Sequence, residues 1–176
     1  MRFGSKKLLT DFVFYAIICA GSVSSKNDTL ILKGAINVQI AIIADDTKKE
    51  LMVEFCIAYC GILSKHSLCA TAITAKYISD ATGLKIEKMM TGSQGGSEQI
   101  SARISYNEID LLIFFRSTTD ADMYHLTEHD LLLMCDKNNV PVATNIATAE
   151  ILVRALDRGD LDWREIVNPM YHRHNV

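Results

Sequence analysis

The chain has 176 residues, 49% hydrophobic and 22% charged, the make-up of one globular domain able to bury a core without disulfide or metal staples. A net charge of -3 and a pI near 5.9 argue against a nucleic-acid partner, and no basic stripe is present. An anionic ligand must therefore be held by local groups, not by the field of the whole molecule.

Residues 1–37 differ from the rest and are read as an N-terminal extension. Arg2, Lys6 and Lys7 precede an apolar run from Leu8 to Ala20, and then small residues from Gly21 to Ser25. This is the outline of a secretory signal, but Asp11 interrupts the run, which is also short for a bilayer span. A packed extra helix or a non-native extension is the preferred reading, because the remainder has a cytoplasmic character. No other segment is long and apolar enough to imply a membrane.

From Val38 to Ala44 the chain is almost continuously apolar, as a strand buried on both faces requires. Asp45, Asp46 and Thr47 are good caps for a helix over 48–63. Ser67–Ala70 reads as a second strand ending at Thr71, and Thr74 as the start of a helix that Gly83 closes. Ile86–Met90 is a third strand, followed by a glycine-rich turn, Thr91–Gln99, and a helix to about Asn107. Ile109–Phe115 is a fourth strand and the expected centre of the sheet. After a polar stretch from Arg116 to Thr127 come a helix from Glu128 to Lys137, a strand over 140–143, and a helix from Ala147 to Leu156 ended by Gly159.

Strands alternating with helices at roughly 20-residue intervals imply an α/β fold: one compact three-layer domain over 38–176 with a parallel sheet and right-handed crossovers, of flavodoxin- or Rossmann-like topology. Ligands of such sheets bind at the carboxyl ends of the strands. Those ends carry Asp45, Asp46 and Lys49, then Thr71 and Thr74, then the glycine-rich turn.

The five cysteines are Cys19, Cys56, Cys60, Cys69 and Cys135. Cys56 and Cys60 share a helical spacing, but no His or acidic partner stands at ligand distance in sequence, so core packing as reduced thiols is expected and no metal site.

In the turn, Gly92, Gly95 and Gly96 let the backbone approach a ligand, and the N–H groups of the following helix start point at it. The pattern is neither a P-loop nor G-x-G-x-x-G. One ammonium, Lys49, with the hydroxyls of Thr71, Thr74 and Thr91 and the Gly92 amide, suits a phosphate monoester. A solvated lysine and threonines acting only as caps is the competing reading. Glu98 could serve as a general base beside a bound phosphate ester. Asp45 and Asp46 could take part in the chemistry or be no more than a capping pair.

The runs Ile40–Asp46 with Lys49, Ala70-Thr71 with Thr74, Thr91-Gly92 with Gly95-Gly96 and Gln99, Ile109–Phe115, and Pro141–Ala149 resemble methylglyoxal synthases, over residues 38–173. The resemblance implies a homohexamer that converts dihydroxyacetone phosphate to methylglyoxal and phosphate with no cofactor or metal, and inorganic phosphate as a candidate inhibitor. It implies phosphate binding by Lys49, Thr71, Thr74, Thr91 and Gly92, and by Arg173 from a neighbouring subunit, with Asp46 close to the reacting carbons.

The chain departs from the family at the acid/base positions. Ser97 stands where the family has its principal aspartate base, Asp45 where it has a histidine, and Tyr124 followed by His125 near its second histidine. A hydroxyl cannot accept a proton at neutral pH as a carboxylate does. Glu98, one residue on, is the expected replacement, with Asp46 assisting and Asp45 or His125 relaying protons. The alternative is a phosphate-metabolite-binding module of the same fold without turnover.

Overall fold

The computed structural model describes residues 37–117, 126–161 and 163. Residues 1–36 of the N-terminal extension, with Cys19 among them, and Tyr124, His125 and Arg173 lie outside them. Five parallel strands form one sheet in the order β3-β2-β1-β4-β5, with β1 at Gln39–Ala44, β2 at Ser67–Thr71, β3 at Ile86–Met89, β4 at Leu111–Phe115 and β5 at Val142–Ala143. The helices are α1 (Lys49–Ala58), α2 (Cys60–Leu63), α3 (Ala72–Thr82), α4 (Gly96–Ser105), α5 (Leu126–Lys137) and α6 (Ile146–Asp157).

The alternation of β1 and β4 splits the core in two. Ile40, Ile42, Leu111, Ile113 and Phe115 meet Met52 and Phe55 of α1, Ile78 of α3 and Val153 of α6. Ala41, Ile43, Leu112 and Phe114 face the other way, onto Ile100 and Ile104 of α4 and Leu131 of α5. The three layers are therefore helix, sheet, helix, and every strand residue of β4 is buried, the signature of a parallel strand covered on both sides.

Two expectations are corrected. The middle strand is β1, not β4: Ile40 is in register with Leu68 on one side and Leu111 on the other. The helix after β1 is not continuous. A 3-10 turn over Asp46–Lys48 precedes α1, and Tyr59, at φ -108 and ψ 16, separates α1 from α2. Cys56 and Cys60 thus fall on different segments. Cys56 is fully buried in the core and Cys60 only partly.

The crossover after β1 places α1 on one face, and the crossover after β4 leads to α5 on the other. The switch of direction between β1 and β4 leaves a crevice at their carboxyl ends. Just beyond it the ladder continues by one bond, from the Asp45 amide to the Phe115 carbonyl at 3.0 Å.

Candidate active site

A cavity of about 450 Å³ opens at this switch point. Three successive strand-to-helix junctions deliver the expected side chains to it: Asp45, Asp46 and Lys49 after β1, Thr71 after β2, and Gly92, Ser97 and Glu98 after β3. Phe114, Ile43 and Ala44 form an apolar wall, and Ile73, Ser93 and Leu131 complete the lining. Leu131 arrives from α5, a contribution no local pattern signals. Ser93, inside the glycine-rich turn, and Ile73, in the first turn of α3, were legible only as neighbours of the expected residues.

At the β1 junction the capping reading of Asp45 holds. Its Oδ1 accepts from the Thr47 amide at 2.9 Å and from the Thr47 hydroxyl at 2.8 Å, so one carboxylate oxygen starts the 3-10 turn. Asp46 does something else: its Oδ1 accepts a charge-assisted bond from the Lys49 ammonium. Lys49 is largely covered, with 16% of its side chain exposed, while Asp46 is 90% exposed. The lysine is thus covered by the protein, and the aspartate is its solvent-side partner.

At the β2 junction the helix starts at Ala72, not at Thr74. Thr71 is the residue before its first turn and makes no side-chain capping bond. Its hydroxyl instead donates to the Thr74 hydroxyl at 3.1 Å, and both residues are buried. Capping therefore does not account for either threonine. Thr74 stands behind Thr71 rather than on the cavity wall.

At the β3 junction the turn has a defined geometry. Gly92–Gln94 is one 3-10 turn, and Gly95 follows at φ +91, a left-handed conformation that suits glycine. Thr91 precedes the turn, and its hydroxyl donates to Gln94 Oε1 at 3.0 Å and lies 3.3 Å from Ser93 Oγ. It is not part of the cavity lining. Gly96 opens α4 with its amide donating to the Thr91 carbonyl at 2.9 Å, and the Gln99 amide donates to Gly95 at 3.0 Å. Between them, the amides of Ser97 and Glu98 are first-turn donors with no intrahelical acceptor.

The electrostatics are mixed. Among the described lining residues Lys49 is the one cation, facing the carboxylates of Asp45, Asp46 and Glu98. Attraction for an anion comes additionally from helix starts, since the positive ends of α1, α3 and α4 all lie at this edge of the sheet. Such a lining offers an anion one ammonium and several helix-start amides, with carboxylates close beside them.

A family model described as "MGS-like domain" matches residues 52–144. The methylglyoxal synthase of Caldicellulosiruptor saccharolyticus is 54% identical over 132 residues, which cover 75% of this chain and 94% of that protein. The methylglyoxal synthase of Alkaliphilus metalliredigens is 48% identical over 130 residues, covering 74% and 97%. Among solved structures, the methylglyoxal synthase of Elizabethkingia anophelis superimposes with a TM-score of 0.61 at 31% identity, covering 66% of this chain and 77% of that one. With its strand order, its cavity at the switch point and these relatives, the chain belongs to the methylglyoxal synthase family.

Proposed function

We propose that the chain is a phosphate-eliminating lyase that converts dihydroxyacetone phosphate to methylglyoxal and inorganic phosphate. One observation carries this reading: Lys49, Thr71, Gly92 and Glu98, from three separate strand-to-helix junctions, line one cavity. The phosphoryl group sits against the Lys49 ammonium, the Thr71 hydroxyl and the free amides of the β3 junction. Thr74 orients Thr71 through their hydroxyl pair, and Thr91 shapes the turn.

Glu98 removes a proton from C3, and the electrons form the C2–C3 double bond of an enediolate. Asp45 or His125 protonates the oxygen on C2. As a carboxylate of the site takes the proton from the C3 hydroxyl, the resulting enediol collapses to the C3 aldehyde, the double bond shifts to C1–C2, and the C1–O bond breaks with the electron pair leaving on phosphate. The released enol gains a proton at C1 and loses the proton on the C2 oxygen to give methylglyoxal. Stabilising the enediolate by fixed donors carries much of the barrier reduction. Asp46, freed from Lys49 when phosphate arrives, supports proton transfer. Ser97 offers a hydroxyl donor where the resemblance places a carboxylate.

The same reading takes residues 38–176 as the enzyme domain and 1–37 as an extension. It takes the active assembly as a homohexamer in which Arg173 and the Tyr124-His125 segment complete the site. A cytoplasmic location is supported by Cys56, Cys69 and Cys135, which are buried as thiols rather than joined in disulfides. Among the described residues no helix is long and apolar enough to cross a membrane.

The test is to incubate the purified protein with dihydroxyacetone phosphate and follow methylglyoxal and free phosphate together. Equal amounts of both, above the uncatalysed rate, support the lyase; absence of both while phosphate still binds overturns it.

A further inference from the structure

Resting on the lyase reading, we propose that Gln99 is a positioning residue of this site: its side-chain oxygen ties the first turn of α4 to the end of β3 and so keeps two ligand-facing junctions in one frame. Gln99 Oε1 accepts from the Met90 amide at 2.8 Å. Met90 directly follows the last residue of β3, where the ladder to β2 has ended at the Thr71–Met89 pair. Its N–H therefore has no strand partner to turn to, and the glutamine supplies one across nine positions of sequence.

The peptides on either side of this bond are a joint. The Met90 carbonyl accepts from the Ala72 amide at 3.3 Å, which fixes the start of α3 next to Thr71. The Thr91 carbonyl accepts from both the Gln94 and the Gly96 amides at 2.9 Å, which fixes the glycine turn and the start of α4. Gln99 is the side chain that grips this joint from within α4, immediately after Ser97 and Glu98. It is not itself among the residues lining the cavity. Its effect is thus exerted through Ser97, Glu98, Gly92 and Thr71, which do line it. Small displacements of such groups cost rate steeply, about a hundredfold for about 1 Å.

The test compares Gln99→Met, which keeps length and loses the acceptor, with Gln99→Glu, which keeps the acceptor. Three quantities are read on the full chain: hydrogen exchange at the Met90 amide, the Kd for inorganic phosphate, and kcat on dihydroxyacetone phosphate. Measurement at raised ionic strength screens the charge that Gln99→Glu adds. In Gln99→Met we expect faster Met90 exchange, phosphate binding weakened about tenfold and kcat lowered about tenfold or more. In Gln99→Glu we expect Met90 protection and a kcat within a few-fold of wild type. Unchanged phosphate binding and kcat in a folded Gln99→Met would overturn the proposal. So would an equal loss in both variants, or, should Gln99→Met not fold, an exposed Met90 amide in Gln99→Glu. If the wild-type chain makes no methylglyoxal, the lyase reading fails on its own, and the exchange and phosphate titrations still decide the role of Gln99.

Discussion

Gly96 lies so close to Met90 that a Cβ on Gly96 would stand 2.2 Å from the Met90 carbonyl oxygen and 2.9 Å from its carbon. That contact is backbone on backbone and cannot be relieved by a rotamer change. Gly96→Ala must therefore push α4 away from the β3 end, and we expect a loss of about 2–4 kcal/mol in urea unfolding together with loss of phosphate binding. Gly95→Ala differs: its Cβ would meet only Glu98 Oε2, at 3.7 Å, an ordinary contact, and the cost is that of a left-handed alanine, about 1–2 kcal/mol. Gly95→Ala should thus be the milder variant in the same unfolding assay.

The buried hydroxyl pair of Thr71 and Thr74 makes a prediction about coupling. Replacing either by valine leaves the other hydroxyl without its partner, at about 1–3 kcal/mol. The double variant removes both groups and should be less destabilised than the sum of the singles, by about 1 kcal/mol in a double-mutant cycle. Phosphate binding should weaken in every variant lacking the Thr71 hydroxyl, including the double one, as titration calorimetry can show.

In the lyase reading Asp46 and an incoming phosphate share Lys49, to which Asp46 is paired. Asp46→Asn should tighten inorganic phosphate binding about fivefold, the worth of about 1 kcal/mol of like-charge repulsion near water, while lowering turnover. Lys49→Met should remove the thermal stabilisation that phosphate confers on the wild-type chain, about 2.7 kcal/mol at a phosphate concentration 100 times the Kd.

Burial acts on two core thiols. Cys56 is pushed up from an ordinary 9.0 to about 12, by its burial first and by Cys60 second. Cys69 is pushed up from 9.0 to about 11, by burial first, with Arg103 opposing. A raised thiol pKa means that above pH 9 the unfolded chain loses protons that the folded chain keeps. Stability is therefore fully retained below pH 9 and falls as pH rises toward 11 and then 12. Urea midpoints from pH 8 to 11 should decline, and Cys56→Ala should show a shallower decline. Iodoacetamide at pH 8 should leave Cys56 and Cys69 unmodified in the folded chain and label them in urea, with the modified sites located by mass spectrometry.

How much of this was legible in the sequence depends on whether a feature is local. The apolar runs that became β1 and β4 read correctly as buried parallel strands, because continuous burial leaves a continuous pattern. Which of them is central did not, because both lie inside the sheet and hydropathy does not record strand order. The break at Tyr59 was hidden because the apolar positions on both sides keep the same face toward the core, through Phe55 and Leu63. At the candidate site, Lys49, Thr71 and Gly92, singled out by their places at strand ends, do line the cavity. The Thr71–Thr74 bond, the Asp46–Lys49 pair and the Gln99–Met90 tie depend on side-chain directions that no spacing rule supplies.

The central claim is that a carboxylate beside the phosphate cradle carries the proton transfer, and the direct measurement is kcat and phosphate affinity of Glu98→Gln beside wild type. The account predicts methylglyoxal and phosphate from the wild-type chain and a fall in kcat of about 10²-fold or more in the variant, with the Kd for inorganic phosphate within a few-fold. Near-normal turnover in Glu98→Gln would contradict it, and would move the base to another group of the same cavity.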